Sequence, residues 1–143
     1  MTSLLAFSDT SILGIELTFI LKVLVTLYSA ALFMQSGLDK VFDWKGDRDF
    51  INGMFEKTIL KPFVPLLMPS ITILEVLAGL LSLAGAAMLI FKAQDMLAIY
   101  GLLLGASSIL LLFFGMRIAK DYGGAAGITP YFVFFVIALA LFA

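Results

Sequence analysis

The sequence contains no cysteine and no histidine. The first absence excludes disulfides and thiolate nucleophiles. Together the two remove imidazole acid–base chemistry and the usual ligands of zinc, iron–sulfur clusters and haem, so no metal site is expected. Charge is also scarce, at 13% of 143 residues, and balanced, with 9 Lys and Arg against 10 Asp and Glu for a formal net charge of -1. A chain so nearly neutral has no basic surface for DNA or RNA, and nucleic acid is not expected as a partner. What abounds is apolar. Hydrophobic residues make up 62% of the chain and mean hydropathy is +1.12, far above the roughly half-apolar mix of a soluble domain.

Four apolar stretches stand out, at about 12–37, 66–91, 95–116 and 126–143. At ~1.5 Å per residue the first three can cross the ~30 Å of hydrocarbon in a bilayer. The fourth has two readings. If Thr129 and Pro130 are the N-cap and first helical residue, only ~21 Å of helix follows; a start near Gly124 gives ~30 Å, with Pro130 tolerated in the second turn. A soluble bundle would need polar outer faces, yet Met96 to Met116 offers only Tyr100, Ser107 and Ser108 as polar side chains. The expected fold is therefore all-α: residues 1–143 as a single polytopic membrane domain, a bundle of four transmembrane helices with a short amphipathic helix in the first loop.

Met1 to Thr18 carries no Lys or Arg cluster and no small-residue cleavage pattern follows, so the first helix is expected to be retained. Orientation follows from basic residues. Lys40, Lys45, Arg48, Lys57, Lys61, Arg117 and Lys120 fall on the side of the first and third loops, against Lys92 in the second. The excess assigns the first and third loops to the cytoplasm and both termini to the opposite side.

The first loop, 38–65, is too short for a catalytic domain of its own. Phe50, Ile51, Met54, Phe55 and Ile59 share one half of a helical wheel, while Asp49, Asn52, Glu56 and Lys57 share the other. That pattern predicts a helix lying at the interface, with Trp44 as an aromatic anchor and Pro62, Pro65 and Pro69 leading into the second span. Such a helix serves either as a lid over the bundle end or as a docking surface.

Charges within the spans are the most informative residues, because each costs at least ~2.5 kcal/mol near the bilayer centre. Glu75 lies in the second span among Leu74, Val76, Leu77 and Ala78, which offer it nothing. Its partner must come from elsewhere, and Lys40 and Arg117 are presented on the same side. Glu75 is thus either one member of an ion pair or a titrating or ligand-binding carboxylate. Lys22 lies in the first span, about 15 Å from Glu75 in depth at 1.5 Å per residue, too far for a direct pair. It heads a stripe of Lys22, Thr26, Ser29, Phe33, Ser36 and Lys40 within about 80° of arc. This stripe faces the bundle interior or a wet cavity, unless Lys22 snorkels to the head groups. Small residues mark close helix approach: Gly101 and Gly105 with Ser108 on the third span, and Gly79, Ser82 and Ala86 on the second.

Three segments carry a resemblance. Gln35-Ser-Gly-Leu-Asp-Lys40-Val-Phe, Ile73-Leu-Glu-Val-Leu-Ala-Gly79-Leu-Leu-Ser-Leu-Ala-Gly85 and Arg117-Ile-Ala-Lys-Asp-Tyr122-Gly-Gly-Ala-Ala are similar to the DoxX family of four-helix bacterial membrane proteins, over nearly the whole chain. In that family a glycine and a lysine end the first helix, here Gly37 and Lys40. A Glu followed four residues later by Gly stands in the second, here Glu75 and Gly79. The resemblance implies a bacterial inner membrane location and assembly with other membrane subunits, since the family is named for a subunit of a thiosulfate:quinone oxidoreductase. It also makes Lys40 and Glu75 family positions. Asp39, Arg117, Asp121 and Tyr122, with Gln35, complete an expected polar cluster on the same membrane side. No resident cofactor is expected; without Cys and His, electrons could pass only through a bound quinone or a partner's cofactor. Two roles stay open. One is a non-catalytic subunit or accessory protein of a larger complex. The other is a protein that binds or translocates a quinone, lipid or small solute, a role that includes the membrane subunit of a quinone-linked oxidoreductase.

Overall fold

A computed structural model describes residues 10–143. The expectation that Met1 to Thr18 holds no cleaved signal lies, for residues 1–9, outside the described residues. The first described feature is a small antiparallel hairpin, β1 (Ser11–Ile12) and β2 (Ile15–Glu16), with Ser11 opposite Glu16 and Ile12 opposite Ile15. Its two turn residues, Leu13 and Gly14, have φ of 54° and 81°. Positive φ at both positions is the signature of a two-residue turn that matches strand twist, and glycine adopts it freely.

Five α-helices follow: α1 (Leu17–Phe42), α2 (Trp44–Phe55), α3 (Val64–Lys92), α4 (Met96–Ile118) and α5 (Tyr122–Ala140). The helices α1, α3, α4 and α5 are long and apolar enough to cross a membrane. With 19 residues, the shortest, α5, reaches ~29 Å at 1.5 Å per residue. This is a multi-pass membrane protein built as a four-helix bundle.

The boundaries shift from those read in the sequence. The first span starts at Leu17 rather than near residue 12, because the hairpin occupies Ser11 to Glu16, and it continues through Asp39 and Lys40 to Phe42. A 3₁₀ turn, Lys61–Phe63, leads into α3, with Pro65 in its first turn, where a missing N–H costs nothing, and Pro69 inside it. Of the two readings of the last span, the earlier start holds. Pro130 lies within α5 and Thr129 donates its hydroxyl to the Ala125 carbonyl, 2.9 Å, so Thr129 is no N-cap. That role belongs to Asp121, whose Oδ1 accepts from the Gly124 N–H at 3.0 Å.

Within the bundle α3 packs against both α1 and α4, and α5 packs mainly against α4. Aromatic rings span from α1 to α5: Tyr28 meets Phe134 at 4.4 Å between centroids and Phe33 meets Phe135 at 5.5 Å. Phe33, Ala78, Leu102, Ile109, Phe135 and Ala138 form the buried core. The small residues serve close approach inside this chain. A Cβ on Gly101 would stand 2.5 Å from Ser82 Oγ, one on Gly79 2.8 Å from the Met34 nitrogen, and one on Gly105 2.6 Å from the Phe33 ring. Gly123 and Gly127 of α5 instead open outward with nothing within 4 Å.

The short helix α2 is present as the wheel predicted, from Trp44 to Phe55, although Ile59 falls in the turn beyond it. Phe55 is buried, and its ring lies where a Cβ on Gly115 of α4 would touch it. This contact folds α2 over the end of the bundle. Phe50 and Ile59 stay exposed.

Candidate functional site

The stripe on α1 faces inward. Thr26, Ser29 and Phe33 are buried, and Ser29 shares a 2.8 Å hydrogen bond with Ser82 of α3. Thr26 returns its hydroxyl to the Lys22 carbonyl, 2.7 Å, so its donor needs no partner on another helix. The stripe ends in a lysine at each end of the membrane, and each lysine meets an acid.

At one end Lys40 Nζ stands 2.8 Å from Glu75 Oε2, with the lysine side chain 17% exposed and the glutamate 1%. Lys40 donates a hydrogen bond to Ser36 Oγ at 3.1 Å, whereas Glu75 Oε2 accepts no well-aligned bond despite the short separation. The attraction is therefore charge at close range, which depends on distance more than on angle. Arg117, the other partner considered for Glu75, is exposed at the end of α4, its guanidinium 4.5 Å from the centroid of the Tyr122 ring.

At the other end Lys22 Nζ donates to Asp95 Oδ2 at 3.0 Å, with side chains 20% and 38% exposed, and lies 5.0 Å from the Phe142 ring centroid. Asp95 occupies the short turn between α3 and α4, so Lys22 reaches the end of the bundle and meets its counter-ion there.

The expected polar cluster is thus divided. Lys40 and Glu75 meet; Arg117 and Tyr122 meet each other; Asp121 caps α5; Asp39 and Gln35 face outward. One buried polar residue outside that cluster was read only as helix packing. Ser108 is fully buried and its Oγ has no hydrogen-bond partner among the described residues. Its place follows from register. Gly101 lies against Ser82 across the antiparallel α3 and α4, and two helical turns onward from each, ~7 residues, come Ser108 and Glu75. The buried hydroxyl and the buried carboxylate therefore occupy the same level of one helix interface. The signal for it was in the sequence, as the third member of the Gly101, Gly105, Ser108 face.

Among the described residues no three acidic side chains converge to hold a metal ion. Fold and site together define a four-span integral membrane protein with a buried lysine–glutamate pair. Searches against protein-family models, curated proteins and solved structures return no match to this chain.

Proposed function

We propose that this chain is a DoxX-like, non-catalytic subunit or accessory protein of a larger membrane complex, in the inner membrane of a bacterium with the first and third loops cytoplasmic. The observation that carries this reading is the closed pair Lys40–Glu75. The acid that could do chemistry is 1% exposed and held by a lysine of its own chain, while Asp121 and Arg117 are engaged in a cap and a ring contact. The pair ties α1 to α3 while Asp121 and Arg117 serve the turn into α5, and the exterior is taken as the working surface. α5 suits a partner helix, since it leans on α4 alone for most of its contacts and presents Gly123 and Gly127 outward.

The test is isolation of the untagged chain in a native nanodisc, with mass spectrometry of proteins, lipids and quinones together. A stoichiometric protein partner supports the proposal. A lone chain with no partner overturns it.

A second reading is favoured by Ser108. Among the described residues its buried hydroxyl has no hydrogen-bond partner, and a polar guest entering this helix interface, such as a quinone, lipid head group or small solute, would supply one. Glu75→Gln removes the charge but keeps the shape. If a co-isolated quinone or lipid is lost from folded Glu75→Gln protein, this second reading gains over the first.

A further inference from the structure

Below the turn that closes α2, the chain forms a groove of about 600 Å³ against the end of α4, lined by Met54, Glu56, Lys57, Ile59, Ile118 and Lys120 among others. It lies outside the Lys40–Glu75 pair. The helices α3 and α4 leave the hydrocarbon here, so the groove stands at head-group depth. Its wall is divided by chemistry. Ile59 is 79% exposed and Ile118 40%, a large apolar exposure that water would penalise and acyl chains would not. Lys57 and Lys120 set two ammonium groups against the single carboxylate of Glu56, and Lys61 lines the adjoining recess with that same Glu56. Among the described residues none of these four joins an ion pair. An uncompensated positive charge beside exposed apolar side chains complements an anion that carries hydrocarbon.

Lys120 adds a separate observation. It closes α4 with φ of 60°, in the turn where Asp121 N–H reaches the Met116 carbonyl at 2.9 Å. That helix-ending position favours glycine, and a side chain there is strained. Here the strained residue is a lysine on the groove.

We infer that this groove binds the head group of an anionic phospholipid, its phosphate between Lys57 and Lys120 and its acyl chains along Ile59 and Ile118. The inference is independent of the role proposed for the chain as a subunit. The test is native mass spectrometry of delipidated protein titrated with phosphatidylglycerol and, separately, phosphatidylcholine of the same acyl chains. The wild type is expected to prefer phosphatidylglycerol, with each lysine contributing about 5-fold. Lys120→Gly relieves the strained backbone while deleting the ammonium, so it should melt no lower than wild type and still lose its share of the preference. Lys57→Gln with Lys120→Gly should bring the two lipids within about 2-fold of each other. Lys92→Gln, at the opposite end of α3, should change nothing. Equal retention of the two lipids by wild type overturns the inference, as does a preference that survives the double substitution. Displacement of the lipid by millimolar inorganic phosphate, but not by chloride at equal ionic strength, would assign the groove to a soluble anion and overturn it too.

Discussion

The two ends of the bundle repeat one motif, a lysine of α1 meeting an acid from elsewhere, and differ in how much water each pair sees. Lys40–Glu75 is 17% and 1% exposed; Lys22–Asp95 is 20% and 38% exposed. The separations, 2.8 and 3.0 Å, are nearly the same, so geometry does not distinguish them. Surroundings do. A charge that keeps part of its water loses little when its partner leaves, whereas one with none is stranded. Glu75 sits mid-helix in α3, while Asp95 sits in a turn where solvent and head groups can replace Lys22.

The largest effect is therefore expected at the buried end. Lys40→Met leaves Glu75 without its cation and should cost about 3–5 kcal/mol of stability, as breaking one half of a buried pair does. Thermal melting in mild detergent measures it. Lys40→Met with Glu75→Met should recover most of the loss, because an apolar pair is no worse than a buried ionic one. If the double variant is as unstable as the sum of its parts, the two residues do not act as a pair.

Much of this end was legible in the sequence. Hydropathy located four spans, and depth alone put Lys40 and Arg117 within range of Glu75. What depth cannot supply is direction around the helix axis. Arg117 and Lys40 were equal candidates on depth, and only packing turned Lys40 inward with Ser36 while Arg117 remained at the surface over Tyr122. Asp121 was grouped with the cluster because its own cap was missed. An Asp directly ahead of an apolar helical run is a local N-cap signal, but Thr129–Pro130 offered a competing start. Asp95 went unnamed as Lys22's partner although both lie toward the same membrane face.

An intermediate effect tests whether the Lys22 end is held by backbone contact instead of charge. A Cβ on Gly85 would collide with the Ala98 backbone, so α3 and α4 touch there with no side chain between them. Gly85→Ala should force the helices apart at a cost of about 1–3 kcal/mol, the range for overpacking a close contact. Circular dichroism melts of the variant report it. Gly127→Ala on the open face of α5 is the matched control, and helix propensity alone should leave it level with or slightly above wild type. Equal melts for the two variants would remove close approach as the support of that end.

The smallest effect is expected from Lys22 itself. Asp95 is more than a third exposed, so the Lys22–Asp95 attraction is screened, and Lys22→Met should cost at most about 1 kcal/mol. The methionine keeps the chain's apolar length against Phe142, so what is lost is the charge and its contact with the ring. Salt separates the two ends more sharply than the substitution does. Raising it from roughly 0.05 M to roughly 0.5 M shortens the Debye length severalfold, which should erase the difference between wild type and Lys22→Met. The deficit of Lys40→Met should survive the same change, since ions do not reach a carboxylate that is 1% exposed. A salt-independent loss in Lys22→Met would mean that Lys22 is as dry as Lys40, and the contrast between the two ends would collapse.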